Sequence, residues 1–327
     1  MSKEIWVYAE QNGGEPVSVV YELLAKANQI AAQIGERKVA AVVLGSGNQG
    51  AVEALKAAGA EIVYTVEHTE LAQYRCDVYA LAIKRVIETY QPEYLFFGAT
   101  GVGSELAPTV AASVKTGLAA HCVDLRYDGN RLNCMVPAFG GKVVSEIYIP
   151  NARPAMASVR PGILEAVPVK VADAEVVTVD TSFLNGVASG EEFLGFDPAE
   201  KAANDITSAE VVIAAGRGAA SDTAWSAVNQ LTDRLNGAFA WSRSLIDTGR
   251  VKDESCMIGT SGKSVKPQLL INVGVSGATQ YVCGINKSKT VISINRDKKA
   301  KIFEHSDYGV VGDAEKILPA VLAKLQA

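Results

Sequence analysis

Twice along its 327 residues the chain runs a series of short, continuously apolar segments separated by amphipathic stretches of helix length. A segment such as KVAAVVLG (38–45) has no polar alternation. It suits a strand covered on both faces, the condition found inside a parallel sheet. In the first series EIWVYAE (4–10), KVAAVVLG, EIVYTVE (61–67) and EYLFFGA (93–99) read as strands, with helices predicted over 17–35, 49–58 and 71–90. In the second, AEVVIAAGRG (209–218), AFAWS (238–242), PQLLINVGVSG (267–277) and TVISINRD (290–297) read as strands, with helices over 222–236 and 314–325. Such alternation demands right-handed crossovers between parallel strands, so the fold class is α/β.

From about residue 119 the rhythm changes to closely spaced short strands: CVDLRYD, RLNCMVPA, KVVSEIYI, AMASVR and AEVVTVD. These are expected to form an antiparallel or mixed extension of the first sheet. Residues 182–207 lack periodicity and hold Gly, Pro and charges, the composition of a linker. The expected division is an α/β domain over 1–190, a linker over 191–207 and a second α/β domain over 208–327.

Composition narrows the function. Hydrophobic residues make up 48% and charged residues 20%, an ordinary globular balance. The net charge of −5 argues against nucleic-acid binding. Residues 1–207 carry 16 basic and 25 acidic side chains, residues 208–327 carry 15 and 11, so the basic excess lies where a phosphate-bearing ligand would be attracted. No apolar run approaches the roughly 20 residues of a membrane span. The opening MSKEIWVYAE has neither secretory nor transit character, so a cytoplasmic location is expected. The five cysteines form no C-x-x-C pair and the three histidines are isolated, so no metal site is expected.

The candidate chemistry sits at strand ends in the second half. Gly216 and Gly218 flank Arg217 between a buried strand and a helix, and Gly274-Val275-Ser276-Gly277-Ala278 occupies the equivalent place later. In open α/β sheets ligands bind at the carboxyl ends of strands, and glycine lets the main chain approach a pyrophosphate. Gly259-Thr260-Ser261-Gly262-Lys263 has the composition of an anion-binding nest, with Lys263 adding charge. It is not a Walker A motif. No triad or acid–base pair stands out, so the chain does not read as a stand-alone catalyst.

Taken in order, Ala215-Gly216-Arg217-Gly218, Trp241-Ser242-Arg243, Gly259 to Lys263, Gly274 to Tyr281, Ile294-Asn295-Arg296-Asp297 and Ser306 to Asp313 resemble the C-terminal domain of the electron transfer flavoprotein α subunit. KTGLAAHCVDL (115–125) and RPAMASVRPG (153–162) extend the resemblance across the first domain. It implies a doubly wound, Rossmann-like FAD-binding domain and a β-subunit partner contacting the first domain. It also implies electron exchange with flavin dehydrogenases such as acyl-CoA dehydrogenase. Some relatives work in electron-bifurcating complexes with a second FAD in place of AMP.

Carried over position by position, Arg217, Ser242 and Arg243 would contact the flavin or its diphosphate. Ile258, Gly259, Thr260, Ser261 and Gly262 would form the loop beside the ring. Ser276, Gly277, Ala278, Thr279, Gln280 and Tyr281 would take the pyrophosphate and the ring edge. Asn295, Asp313 and Ala314 would hold the adenosine side. Tyr281 stands where many relatives have His, replacing a group that can be charged by a neutral donor. Thr260 stands where the family's G-Q-T-G loop has a long amide, replacing it by a short hydroxyl. The competing reading is an NAD(P)-dependent oxidoreductase, but GRGAAS lacks the last glycine of G-x-G-x-x-G. A third is a nucleotide-sensing module without redox chemistry.

Overall fold

The computed structural model describes residues 2–138, 143–167, 169, 173–195 and 205–325. The described residues up to 195 form one compact unit and those from 205 onward form another.

The first unit opens with β1 (Glu4–Tyr8), a small hairpin of β2 (Gln11–Asn12) and β3 (Glu15–Pro16), α1 (Ser18–Ile34), β4 (Lys38–Gly45) and α2 (Gln49–Ala57). It continues through β5 (Ile62–Glu67), α3 (Cys76–Tyr90), β6 (Tyr94–Gly98) and α4 (Gly101–Ser113). Then come β7 (Leu118–Cys122), β8 (Asp124–Tyr127), β9 (Leu132–Ala138), β10 (Val143–Ile147), β11 (Ala155–Val159) and β12 (Glu175–Thr178). Seven strands make a parallel sheet in the order β12-β5-β4-β1-β6-β11-β7. All five residues of β6 and seven of the eight in β4 are buried, as their unbroken apolar runs require. Helix α1 lays Val20, Leu23, Leu24, Ala27 and Ile30 on one face of that sheet and stops at Gly35, whose φ of +73° favours glycine.

Several expectations change. The antiparallel part after residue 119 is β8–β10, hydrogen-bonded as its own three-stranded sheet. AMASV instead enters the parallel sheet as β11, because its five residues are buried on both faces. AEVVT joins the opposite edge as β12. The helix expected over 71–90 begins only at Cys76: Arg75 is extended and its guanidinium turns back to the Glu70 carbonyl and carboxylate. Helix α4 was not foreseen, because it holds Pro108 and is rich in Gly and Ala, leaving no amphipathic stripe. Its start is set by Thr100, whose Oγ1 accepts the Gly103 N–H at 2.9 Å.

Residues 196–204 of the expected linker lie outside the described residues. Its flanks are docked. Ser189 Oγ and Gly190 N–H donate to the Asp77 carboxylate, and Glu191 Oε2 accepts the Cys76 N–H at 3.1 Å. Ile206 is fully buried in the second core.

The second unit runs β13 (Val211–Ala215), α5 (Asp222–Arg234), β14 (Ala238–Ser242), α6 (Arg243–Asp247) and β15 (Met257–Ile258). It closes with β16 (Leu269–Val273), α7 (Thr279–Val282), β17 (Thr290–Asn295), β18 (Tyr308–Val311) and α8 (Ala314–Leu325). The strands are parallel in the order β15-β14-β13-β16-β17-β18. The order reverses between β13 and β16, the doubly wound dinucleotide-binding pattern with its switch point there.

Candidate functional site

The switch point brings together the two glycine turns singled out in the sequence. Gly216 N–H donates to Val273 O at 2.8 Å and Gly218 N–H to Gly274 O at 3.0 Å. A Cβ on Gly216 would stand 2.4 Å from Gly274 O, and one on Gly274 would stand 2.5 Å from the Gly218 carbonyl carbon. Gly274 also has a φ of +66°. These glycines let the ends of β13 and β16 touch, a role the sequence reading had given to ligand approach alone. Gly277 (φ +79°) packs in the same way against Ile302, whose N–H donates to Ser276 O at 3.2 Å.

Beside these turns lies a cleft of about 590 Å³. Arg217, Ser276, Gly277, Ala278, Asn295, Asp313 and Ala314 line it, so the structure gathers seven of the expected residues around one space. Among the described residues, the N–H groups of Val275, Ser276, Gly277 and Ala278 find no acceptor in the fold. Unpaired main-chain donors of this kind at a glycine turn suit an anion. Asn295 acts through the fold: its Nδ2 donates to Val275 O at 2.7 Å and its Oδ1 accepts the Asp297 N–H at 2.9 Å. It thus ties the end of β17 to the turn after β16. Asp313 Oδ1 accepts the Glu315 N–H at 3.1 Å at the start of α8.

A second group of expected residues adjoins the cleft. Ser242 Oγ lies 2.9 Å from Ser244 Oγ, and Ser244 lines the cleft. Arg243 is exposed, donating from Nη1 to Ser261 Oγ at 3.3 Å and standing 3.6 Å from Asp247. The loop from Gly259 to Gly262 leans on α7, where Thr260 N–H donates to Gln280 O at 3.0 Å; Thr279 begins that helix. Gly259 has a φ of +141°, and a Cβ on Gly262 would meet Met257 O at 2.2 Å.

Three of the expected residues turn their side chains to partners within the fold. Ile258 is 2% exposed, so its side chain belongs to the core and only its main chain borders the loop. Lys263 stands 3.9 Å from the Asp205 carboxylate. Tyr281 is 5% exposed with its hydroxyl bonded to Asn272, so it offers no hydroxyl to a ring edge, and burial pushes its ionisation well above the ordinary phenol range. The sequence reading missed Arg296, Lys299 and Lys301, which also line the cleft. The signal was present as a basic run, RDKKAK, directly after a buried strand.

Two family models match the chain, the electron transfer flavoprotein domain over residues 5–184 and the electron transfer flavoprotein FAD-binding domain over residues 205–286. An electron transfer flavoprotein subunit alpha from Thermoanaerobacterium thermosaccharolyticum is 34% identical, covering 99% of this chain and 98% of that protein. The chain belongs to the electron transfer flavoprotein α-subunit family. A protein FixB from Clostridium saccharobutylicum is 36% identical over 98% of this chain and 96% of its own length. Subunit LctC of a lactate dehydrogenase (NAD(+),ferredoxin) from Acetobacterium woodii is 34% identical over 98% of this chain and 77% of its own. The second unit is the family's FAD-binding domain, which decides against the NAD(P)-dependent oxidoreductase. The cleft fits that cofactor: it offers unpaired N–H donors to a diphosphate, cationic walls, and a volume in the range of ordinary ligand sites. Among the described residues no helix of this flavoprotein chain is long and apolar enough to cross a membrane.

Proposed function

We propose that this chain is the FAD-bearing half of an α/β heterodimer that carries electrons to or from flavin dehydrogenases of the acyl-CoA dehydrogenase type in the cytosol. The observation that carries the reading is the cleft at the switch point, where Ser276–Ala278 donors and the Arg217 guanidinium converge. Bound FAD supplies one- and two-electron chemistry there. The chain's own contribution is binding and electrostatics. The N–H groups of Ser276 to Ala278 hold the diphosphate, while Asn295, Asp313 and Ala314 frame the adenosine side. Arg243, Ser261 and the 259–262 loop border the ring. A permanent cation at Arg243 stabilises negative charge arising beside it.

The partner subunit is read onto the first unit. Val143, Val144, Ile147 and Tyr148, on and beside the edge strand β10, are between 38% and 52% exposed, an apolar surface that a β subunit would cover. The domain limits of 1–190 and 208–327 belong to this proposal.

Co-expression with a β subunit of the family, followed by purification and flavin quantification, tests the reading. One FAD per α chain, lost on deletion of residues 208–327, is the expected result. A colourless heterodimer that takes up no FAD would overturn it. The naming of the Acetobacterium woodii relative as a dehydrogenase subunit favours a second reading, in which the heterodimer works inside an electron-bifurcating complex. Two flavins per heterodimer would select it.

A further inference from the structure

Four cations line the switch-point cleft: Arg217, Arg296, Lys299 and Lys301. Among the described residues none has a carboxylate within ion-pair distance, whereas Lys263, Arg243 and Arg250 of the same unit each do. The two cleft carboxylates face their own main chains, Asp297 Oδ1 accepting the Lys299 N–H at 2.9 Å and Asp313 Oδ1 accepting the Glu315 N–H at 3.1 Å. The cleft therefore carries more positive than negative charge, and the excess matches a doubly anionic ligand. The run is also fixed in place. A Cβ on Gly277 would lie 2.2 Å from Ile302 N and 2.7 Å from the Lys301 carbonyl carbon, so the backbone of Lys301 abuts the turn bearing the unpaired N–H groups.

We propose that Lys299 and Lys301 form a lysine clamp for the cofactor's diphosphate, setting FAD retention and making it salt-dependent. This rests on the cleft being the FAD site. Both lysines are exposed, Lys299 in a turn and Lys301 at the first position of a short 3-10 helix (Lys301–His305), so they act by charge and their removal leaves the fold intact. The ligand feature they recognise is the anionic bridge, not the isoalloxazine ring, so they discriminate FAD from riboflavin.

The test is FAD and riboflavin titration of the apo-heterodimer over a series of salt concentrations. Wild type, Lys299→Ala/Lys301→Ala and Lys298→Ala, an exposed neighbour outside the cleft, are compared. In the double variant the FAD Kd should rise about tenfold at low salt and its salt dependence should fall by about half, Arg217 and Arg296 remaining. Riboflavin affinity should stay constant, and Lys298→Ala should behave as wild type. Equal FAD affinity and salt slope in wild type and the double variant would overturn the clamp, as would a similar loss in Lys298→Ala. Failure of the wild type itself to bind FAD would instead overturn the function proposed above.

Discussion

The Tyr281 hydroxyl donates to Asn272 Oδ1 at 2.5 Å inside the second core. Asn272 Nδ2 in turn donates to Ser293 Oγ at 3.1 Å, and Ser306 Oγ lies 2.7 Å from Ser293 Oγ. Asn272 and Ser293 are fully buried and stand opposite each other in the β16–β17 register. A polar chain this deep is stabilising only while each member is partnered. It anchors α7, and with it the turn from Ser276 to Gln280, to the sheet beneath.

Tyr281→Phe should therefore destabilise the second unit by about 1–3 kcal/mol, because Asn272 Oδ1 is left buried without a donor. The added loss from Asn272→Ala in the Tyr281→Phe background should be smaller than in wild type, since the shared bond is already gone. Denaturant midpoints of the four proteins in this cycle measure the coupling. Strict additivity would show that the bond contributes nothing.

Gly277→Ala should be more harmful than its backbone angle alone implies. A positive φ costs a non-glycine residue about 1–2 kcal/mol, and here the new methyl group also meets Ile302 N at 2.2 Å. Gly186→Ala is the comparison, with a φ of +68° and open space around it. Flavin content and melting temperature should fall in Gly277→Ala, and Gly186→Ala should keep its full flavin content.

Arg243→Ala should lower the flavin reduction potential by an amount on the order of tens of millivolts, modest because the guanidinium is exposed and screened by solvent. Arg243→Lys should recover part of the shift. Spectroelectrochemistry reads both, and an unchanged potential in Arg243→Ala would place the arginine away from the ring.

Glu10 predicts a pH dependence in the first unit. Burial raises its carboxyl pKa, although the Thr100 hydroxyl donates to it. A raised folded pKa means that the stability tied to the protonated form is complete below the unfolded value of about 4.3 and is lost as pH rises through the folded value. At neutral pH the charged Glu10 is thus a liability. Glu10→Gln, which keeps an acceptor for Thr100, should be more stable there by less than about 1 kcal/mol, given the group's partial exposure. Urea midpoints should converge below about pH 4.

Much of the architecture is legible in the residues alone. KVAAVVLG and YLFFG have no polar face, so they could only be interior parallel strands, and the glycine turns after Ala215 and Val273 marked the binding edge. Helix α4 was hidden because Gly, Ala and Pro108 give no periodic stripe to read. Strand order was equally out of reach. Crossover handedness constrains each β-α-β step, but which strands become neighbours depends on how two apolar faces are covered at once. That packing alone set the turn at Gly216 against the turn at Gly274. It also decided side-chain direction in the short elements and turns around the cleft, turning Tyr281 of α7 and Ile258 of β15 inward while Arg296, Lys299 and Lys301 came to line the cleft. Sequence determined the elements and the glycine turns because periodicity and backbone freedom are local properties. Tertiary structure decided which side chains share a site, because outside a regular element a side chain's direction follows from what its neighbours leave open.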